Sequence, residues 1–161
     1  MRHSFAKLLV LTASMLIVPG AFAQAPKLYG PPIGVDNAKK IAAVALAEAR
    51  KNNWYMVVAV VDPSGTLVYY EKMDNAQTGS ADVAIDKART ASLFKRPSKA
   101  FQDMVTGGGP GLRILGLRGA VPIEGGVPLV IDGKIVGAIG VSGDSSEHDG
   151  ICAQAGADAL K

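Results

Sequence analysis

The chain has a single cysteine, Cys152, among its 161 residues. No intrachain disulfide bond can therefore form, even in an oxidising compartment. A fold without disulfides must be held by its apolar core. Hydrophobic residues make up 48% of the chain, and Ala, Val, Ile and Leu are abundant enough to supply that core.

Histidine is also scarce, because His148 is the only one beyond the first 23 residues. His148 and Cys152 lie four residues apart and would share one face of a helix. Two ligands cannot close a zinc site, which takes four, or three and a water. We expect an exposed His148 and a buried, apolar Cys152, while a role for His148 as single axial ligand of a haem iron stays open.

No run of like charges or interleaved aromatic patch follows the first residues, which argues against a nucleic-acid partner. The N-terminus has Arg2 and Lys7, an apolar run at 8–18 and an Ala21-Phe22-Ala23 cleavage signal. This pattern predicts a signal peptide at 1–23, cleaved after Ala23, and a periplasmic or secreted protein. The run is shorter than the about 20 residues that span a bilayer, so we expect no stable membrane anchor. Removal of the leader lowers the net charge from +3 to +1.

The remaining chain reads as an extended or mobile arm at 24–34, which contains Pro and Gly, and a single domain at 35–161. The first half of the chain predicts a helix from Asp36, as N-cap, to about Asn52. Two strands follow at Tyr55–Val61 and Thr66–Lys72, around the turn Asp62-Pro63-Ser64-Gly65. Two further helices are predicted at Ala81–Phe94, capped by Ser80, and at Ser98–Val105.

The second half predicts a short strand at Val121–Glu124, a hairpin of Val127–Ile131 and Lys134–Val141 around Asp132-Gly133, and a helix from about Glu147 to Leu160. Gly107–Gly111 reads as flexible or sharply turned, and Leu112–Gly119 is ambiguous. Hairpin connections between strands favour an antiparallel sheet of about five strands with helices packed on it. The sequence therefore predicts an α/β fold of the α+β type.

Glycines recur at Gly137, Gly140 and Gly143, before a small polar loop. Their spacing fits neither the dinucleotide fingerprint nor the Walker loop. We expect Gly137 and Gly140 to allow close approach of a helix or strand. The loop at 142–146 feeds a helix N-terminus that could attract an anion, but capping by Ser145, Ser146 or Asp149 is favoured.

Several segments taken together resemble one family. They are Val57–Asp62 with Gly65, Lys72–Ala76, Lys87–Ala91 with Phe94 and Pro97-Ser98, Gly125–Pro128, and Gly137–Gly143 with Asp149, Cys152-Ala153 and Ala155-Gly156. The chain resembles the HbpS/GlcG family, which is also found as the C-terminal domain of PduO-type corrinoid adenosyltransferases. The resemblance implies an antiparallel five-stranded sheet flanked by helices in a profilin-like layered sandwich. It also implies a homo-oligomer and haem binding.

The ligand site that we predict from these segments comprises Met73, Asp74, Lys87, Arg89, Gly125 and Gly126, with His148 as the possible haem iron ligand. Basic side chains on the helix could pair with haem propionates or another carboxylate. A plain salt bridge of Asp74 with Lys87 or Arg89 is an equal alternative. The leading hypothesis is an exported haem or tetrapyrrole binder without clear turnover. The alternatives are an enzyme or sensor for a small carboxylate or hydroxy acid such as glycolate, and an assembly module.

Overall fold

The computed structural model describes residues 27–160, so the predicted signal peptide at 1–23 and the first residues of the predicted arm lie outside the described part. The elements are β1 (Leu28–Tyr29), α1 (Val35–Lys51), β2 (Val57–Val61), β3 (Leu67–Lys72), α2 (Ser80–Leu93), α3 (Ser98–Thr106), a 3₁₀ helix (Gly109–Gly116), β4 (Gly126–Ile131), β5 (Lys134–Ser142) and α4 (Ser146–Asp158). Within this range, no helix combines the length and apolar character needed to cross a membrane.

Strand β5 is the centre of a five-stranded sheet. Strand β4 runs antiparallel along one of its edges, with Ile131 opposite Lys134. The other edge holds two strands end to end. There β2 pairs antiparallel with residues 138–142 and β1 pairs parallel with residues 134–135. Strand β3 completes the sheet by pairing antiparallel with β2. The α/β layered architecture is confirmed, as is the number of strands.

Two details of the predicted sheet are wrong. The sheet is mixed rather than wholly antiparallel, because the arm enters alongside β5 in the same direction. The fifth strand is β1 and not Val121–Glu124, which is irregular. The two-residue strand β1 is too short to show an alternating pattern, so its sequence carries no strand signal.

The β4–β5 hairpin has the predicted Asp-Gly turn. Asp132 has a φ of 49° and Gly133 a φ of 73°. Two consecutive positive φ values define the type I′ turn, whose twist matches that of the flanking strands. The predicted hairpin of β2 and β3 is likewise present, with Asp62 Oδ1 accepting hydrogen bonds from the N–H groups of Ser64 and Thr66.

The sheet is buried on both faces at its centre. Val58 and Val60 of β2 join the main core with α1 and α4, whereas Val57, Ala59 and Val61 face α2. All five residues of β2 are inaccessible to solvent. This explains why β2 reads as an unbroken apolar run instead of an alternating one.

A row of small residues crosses the sheet beneath α2. Gly126 on β4 lies opposite Gly140 on β5, and Gly140 lies opposite Ala59 on β2. A Cβ on Gly140 would collide with the backbone carbonyl of Ala84, and a Cβ on Gly126 with that of Lys87. Helix α2 therefore rests with its backbone directly on the sheet, and the expected close-packing role of Gly140 is confirmed.

The helix starts differ from the predicted ones in two cases. Gly34 is the N-cap of α1, and Asp36 lies inside the first turn. Gly79 caps α2, and Ser80 is instead buried within the helix, where its hydroxyl accepts a hydrogen bond from Ser142. The N-cap of α4 is Ser145, one of the three residues proposed for that role, and its side chain accepts from the N–H of His148.

Candidate functional site

One end of the sheet holds three of the predicted site residues. Val57, which begins β2, pairs with Lys72 at the end of β3 and with Ser142 at the end of β5. The connections that follow β3 and β5 and precede β2 therefore meet there. They place Met73 and Asp74 at the same end of the molecule as His148.

His148 is held in a defined orientation at the start of α4. Its Nδ1 lies 2.8 Å from Asp144 Oδ1, and its ring stacks on Trp54 with a centroid distance of 3.9 Å and an interplanar angle of 13°. The side chain is 39% exposed. Hydrogen bonds from the N–H of Ser145 and from His148 hold the pKa of Asp144 below its usual value.

These contacts fix which nitrogen of His148 is free. An ionised carboxylate only accepts hydrogen bonds, so Nδ1 carries the proton and donates it to Asp144. In the neutral imidazole the lone pair then lies on Nε2, to which no atom of residues 27–160 donates a hydrogen bond. An imidazole whose Nδ1–H is held by a carboxylate is the usual arrangement of a metal-binding histidine.

Met73 and Asp74 line a small cleft of about 240 Å³ together with Arg50, Tyr55 and Asn75. We refer to it as the Met73 cleft. The thioether of Met73 is already engaged, since its sulfur accepts a hydrogen bond from the N–H of Met56 at 3.4 Å. Asp74 is exposed. Tyr55 joins this cleft to Trp54, the residue before it, and so to the ring of His148.

Lys87 forms a buried ion pair with Asp149. Its ammonium donates to Asp149 Oδ2 at 2.7 Å, and the two side chains are 1% and 3% exposed. The predicted alternative of a salt bridge between Asp74 and Lys87 is therefore wrong. Burial raises the pKa of Asp149, although the hydrogen bond and charge of Lys87 oppose that effect. The ammonium is enclosed and does not lie on a pocket rim.

Arg89 lies at the opposite end of the sheet. Its Nε donates to the carbonyl of Gly65 in the β2–β3 turn, and its guanidinium lies 3.7 Å from Asp86. The structure therefore does not bring Arg89 together with Asp74, and the predicted salt bridge between them is wrong. The site prediction places Arg89 near Lys87 because both lie on α2, but two residues of helix separate their directions by about 200°.

Gly125 and Gly126 line a larger cleft of about 480 Å³ between α3, β4 and α4, which we call the Gly125 cleft. Its other lining residues are Pro97, Lys99, Glu124, Val127, Gly150, Ile151, Gln154 and Ala155. Gly125 has a φ of 125°, and a Cβ there would lie 2.6 Å from the carbonyl oxygen of Val141 and 3.0 Å from the ammonium of Lys87. The buried ion pair thus lies directly behind the wall of this cleft.

Hydrogen bonds to helix side chains hold the irregular segment at 121–126, which forms this wall. Thr90 Oγ1 accepts from the N–H of Val121, Gln102 Oε1 from that of Glu124, and Ser98 Oγ from that of Gly126. Backbone N–H groups that a strand would pair with a neighbour are bound here by helix side chains. This is the physical reason why 121–124 is not the predicted strand.

Cys152 is buried, as expected, at the centre of α4. Burial raises the pKa of its thiol to about 12, so the thiol is protonated and unreactive at neutral pH. Within residues 27–160, no group of three or more His, Cys, Asp and Glu side chains could hold a metal ion. An iron that brings its own porphyrin nitrogens needs only one protein ligand.

Four residues of this region are absent from the predicted ligand site: Trp54, Asp144, Glu124 and Asp149. Asp144 precedes His148 by four residues, a helical i,i+4 spacing that signals a possible contact. Trp54 is the only tryptophan of the chain and precedes a strand, but nothing in the sequence pairs it with His148. The pairing of Lys87 with Asp149 joins residues 62 positions apart and has no local signal.

Comparison with known proteins gives consistent matches. Residues 33–158 match the family described as haem degrading protein HbpS-like. The chain is 41% identical over 105 residues to the GlcG protein of Escherichia coli (strain K12), which covers 65% of this chain and 77% of that protein. The crystal structure of HbpS superposes with a TM-score of 0.74 at 30% identity, covering 82% of this chain and 92% of that one. A complex of PduOC with haem superposes with a TM-score of 0.72 at 29% identity, covering 80% and 94%. This protein therefore belongs to the HbpS-like family.

Proposed function

We propose that the mature chain is exported and binds haem, or a related tetrapyrrole, without turnover, with His148 Nε2 as the iron ligand. The observation that carries this proposal is the oriented imidazole, whose Nδ1–H is held by Asp144 and whose ring is held by Trp54. The solved relatives include a complex of PduOC with haem, which supports the same ligand class.

The surroundings of His148 fit a porphyrin. Trp54 and the half-exposed Tyr55 offer aromatic surface for the macrocycle. Arg50 and Lys51, at the end of α1, offer cations for the propionates. Their present ion pairs are long, at 3.8 Å to Glu71 and 3.6 Å to Glu48, and the side chains are mainly exposed. Both cations are therefore free to turn towards a ligand.

Each residue near His148 would have a separate role in holding haem. His148 would hold the iron, Asp144 would keep the imidazole in its Nδ1–H tautomer, and Arg50 would bind a carboxylate. Bound haem would supply an iron atom with coordination positions beyond the four porphyrin nitrogens.

A hemin titration with a matched substitution tests this proposal. We expect hemin to give a shifted Soret band that saturates at a fixed stoichiometry with the mature protein. His148→Phe keeps an aromatic ring on Trp54 but has no nitrogen ligand, so we expect it to lose the shift. Lys40→Phe, at an exposed position of α1, is the control and should titrate as the parent does. An unchanged Soret shift in His148→Phe would exclude His148 as the ligand, and a spectrum equal to free hemin plus parent protein would exclude haem binding.

The small-carboxylate alternative receives less support. It requires Asp74, Lys87 and the Gly125-Gly126 segment in one polar pocket. Asp74 lines the Met73 cleft and the glycines line the Gly125 cleft. The ammonium of Lys87 is enclosed by its pairing with Asp149 and is not available to a second carboxylate.

We also propose that the mature chain forms a homo-oligomer. Large apolar side chains are exposed along α3 and the loops that follow it, including Met104, Leu112, Leu115, Leu117 and Ile123. An apolar patch of this kind is typical of a protein–protein contact. Light scattering coupled to size exclusion should give a mass that is a multiple of the mature chain's, and Leu115→Glu should lower it. A clean monomer at micromolar concentration would contradict the assembly.

A further inference from the structure

The Gly125 cleft has the features of a built ligand site, and the haem proposal does not use it. Its volume of about 480 Å³ lies within the range of small-molecule sites. Three hydrogen bonds from α2 and α3 side chains fix its wall at 121–126. A site held rigidly in this way loses little entropy when a ligand binds.

The polar group that the cleft offers is the carboxylate of Glu124. Its side chain is only 20% exposed, and its one ion-pair partner is Lys99 at 4.0 Å. The ammonium of Lys99 is held more closely by Asp103, at 2.7 Å. Within the described residues, no hydrogen bond reaches either carboxylate oxygen of Glu124, so most of its acceptor capacity is unused. Burial, followed by the charges of Glu147 and Asp103, raises the pKa of this carboxyl, and Lys99 and Lys87 oppose the rise.

The charges around the cleft determine whether it favours a cationic or an anionic ligand. The exposed cation Lys99 lies 2.7 Å from Asp103 and 4.0 Å from Glu124, and the charge of Glu147 also acts on it. The second nearby cation, Lys87, is already neutralised by Asp149. The mouth of the cleft is therefore net negative. It repels carboxylates, including the propionates of haem, and attracts a cation.

Apart from Glu124, Lys99, Gln154 and the glycines, the residues that line the cleft are apolar. Ile151, Val127, Pro97 and Ala155 contribute hydrocarbon surface, and Ile151 is 48% exposed. Gly150 lets the side chain of Glu124 pack closely against α4, because a Cβ there would lie 2.5 Å from Glu124 Oε1. We propose that the Gly125 cleft binds small molecules that carry a primary ammonium group on an apolar body. The ammonium pairs with Glu124, and the apolar body packs against Ile151 and Val127.

Three isosteric probes test the sign of the charge. Benzylamine, benzyl alcohol and benzoate share one apolar ring and differ in the head group. In amide NMR titrations of the mature protein, we expect benzylamine to bind with a dissociation constant on the order of 1 mM, as suits so small a ligand. Its shifts should centre on Gly125, Gly150 and Ile151. Equal binding of the three probes, tighter binding of benzoate, or shifts centred elsewhere would overturn the proposal.

A substitution at the carboxylate tests the residue. Glu124→Gln keeps the shape of the side chain and the N–H that bonds Gln102, so the wall stays in place. It removes a charge-assisted hydrogen bond, and we expect the dissociation constant for benzylamine to rise about tenfold or more. Asp36→Asn, an exposed change of the same charge on α1, should leave it unchanged. An unchanged constant in Glu124→Gln would refute the role of Glu124. Hemin titration of Glu124→Gln should match the parent, which separates failure of this site from failure of the haem site.

The raised pKa of Glu124 gives the binding a pH dependence. The ammonium pairs with the ionised carboxylate, and the folded protein holds the Glu124 proton to a higher pH than an ordinary glutamate does. Benzylamine affinity should therefore weaken as the pH falls through the raised pKa, while benzyl alcohol binding stays level. Equal pH profiles for the two probes would count against an ammonium–carboxylate contact.

Discussion

Replacement of Lys87 by methionine should lower the free energy of unfolding by about 3–5 kcal/mol at neutral pH, because it leaves the buried carboxylate of Asp149 without its partner. Asp149→Asn should cost a similar amount, since the ammonium of Lys87 then stays buried with only a neutral amide beside it. Chemical denaturation followed by the fluorescence of Trp54, the single tryptophan, measures both.

The control is an ion pair of the same length at the surface. Lys99 and Asp103 also approach to 2.7 Å, but their side chains are 49% and 59% exposed. Water screens such a pair and solvates either partner when the other is removed. Lys99→Met should therefore leave the unfolding midpoint unchanged. Equal losses in Lys87→Met and Lys99→Met would show that burial of the Lys87–Asp149 pair has no energetic consequence.

The two single substitutions should differ in their response to pH. In Lys87→Met the remaining Asp149 can take up a proton, and burial has raised its pKa above the value in the unfolded chain. The folded state then binds more protons than the unfolded state, so stability increases as the pH falls through the window between the two pKa values. Asp149→Asn has no carboxyl at this position, so this recovery of stability in acid should be absent. A double substitution, Lys87→Met with Asp149→Leu, should recover much of the loss, because it removes both buried charges.

Gly140→Val is expected to lower the free energy of unfolding by about 3 kcal/mol or more, because its side chain would enter the backbone of α2. The obstacles are the carbonyl of Ala84 and the N–H of Ala88, which cannot move without shifting the helix. Denaturant unfolding measures the loss. Gly116→Val is the matched control, since a Cβ at Gly116 meets nothing within 4 Å.

A second substitution tests whether a side chain at Gly140 clashes mainly with the backbone of α2 or with the side chain of Ala88. The Cβ of Ala88 would lie 3.0 Å from a Cβ at Gly140, so Ala88→Gly removes one obstacle. The Ala84 carbonyl remains, and we therefore expect Ala88→Gly not to rescue Gly140→Val. Rescue by that change, or a stable Gly140→Val single variant, would contradict direct seating of α2 on the sheet.

Most elements of the fold can be predicted from local patterns in the sequence. The Asp132-Gly133 turn, flanked by apolar runs, predicts the β4–β5 hairpin because it requires only neighbouring residues. The 3.6-residue periodicity predicts the helices to within a few residues. It does not give the start of α2, because Ser80, a frequent N-cap residue, bonds to a distant serine instead. The parallel strand β1 is too short to show a period and cannot be predicted in this way.

Only part of the candidate site can be predicted from the sequence, because contacts between residues far apart in the chain leave no local pattern. His148 could be identified because histidine is rare in this chain and its chemistry is specific. Its partner Trp54 could not, since the stacking depends on how α1 and α4 pack. The sequence offers Asp74 as one possible partner of Lys87, because their elements follow each other along the chain, whereas tertiary packing selects Asp149.

The pairing of β1 with β5 also has a consequence for the order of folding. It joins Leu28 to Lys134, and so closes a loop that contains most of the domain. Each hairpin, by contrast, closes over a few residues. The entropy lost on closing a loop grows with its length. The two residue pairs between β1 and β5 offset only a small part of that loss. We therefore expect both hairpins to form early and the arm to dock last, onto a β5 edge that the rest of the chain has already built.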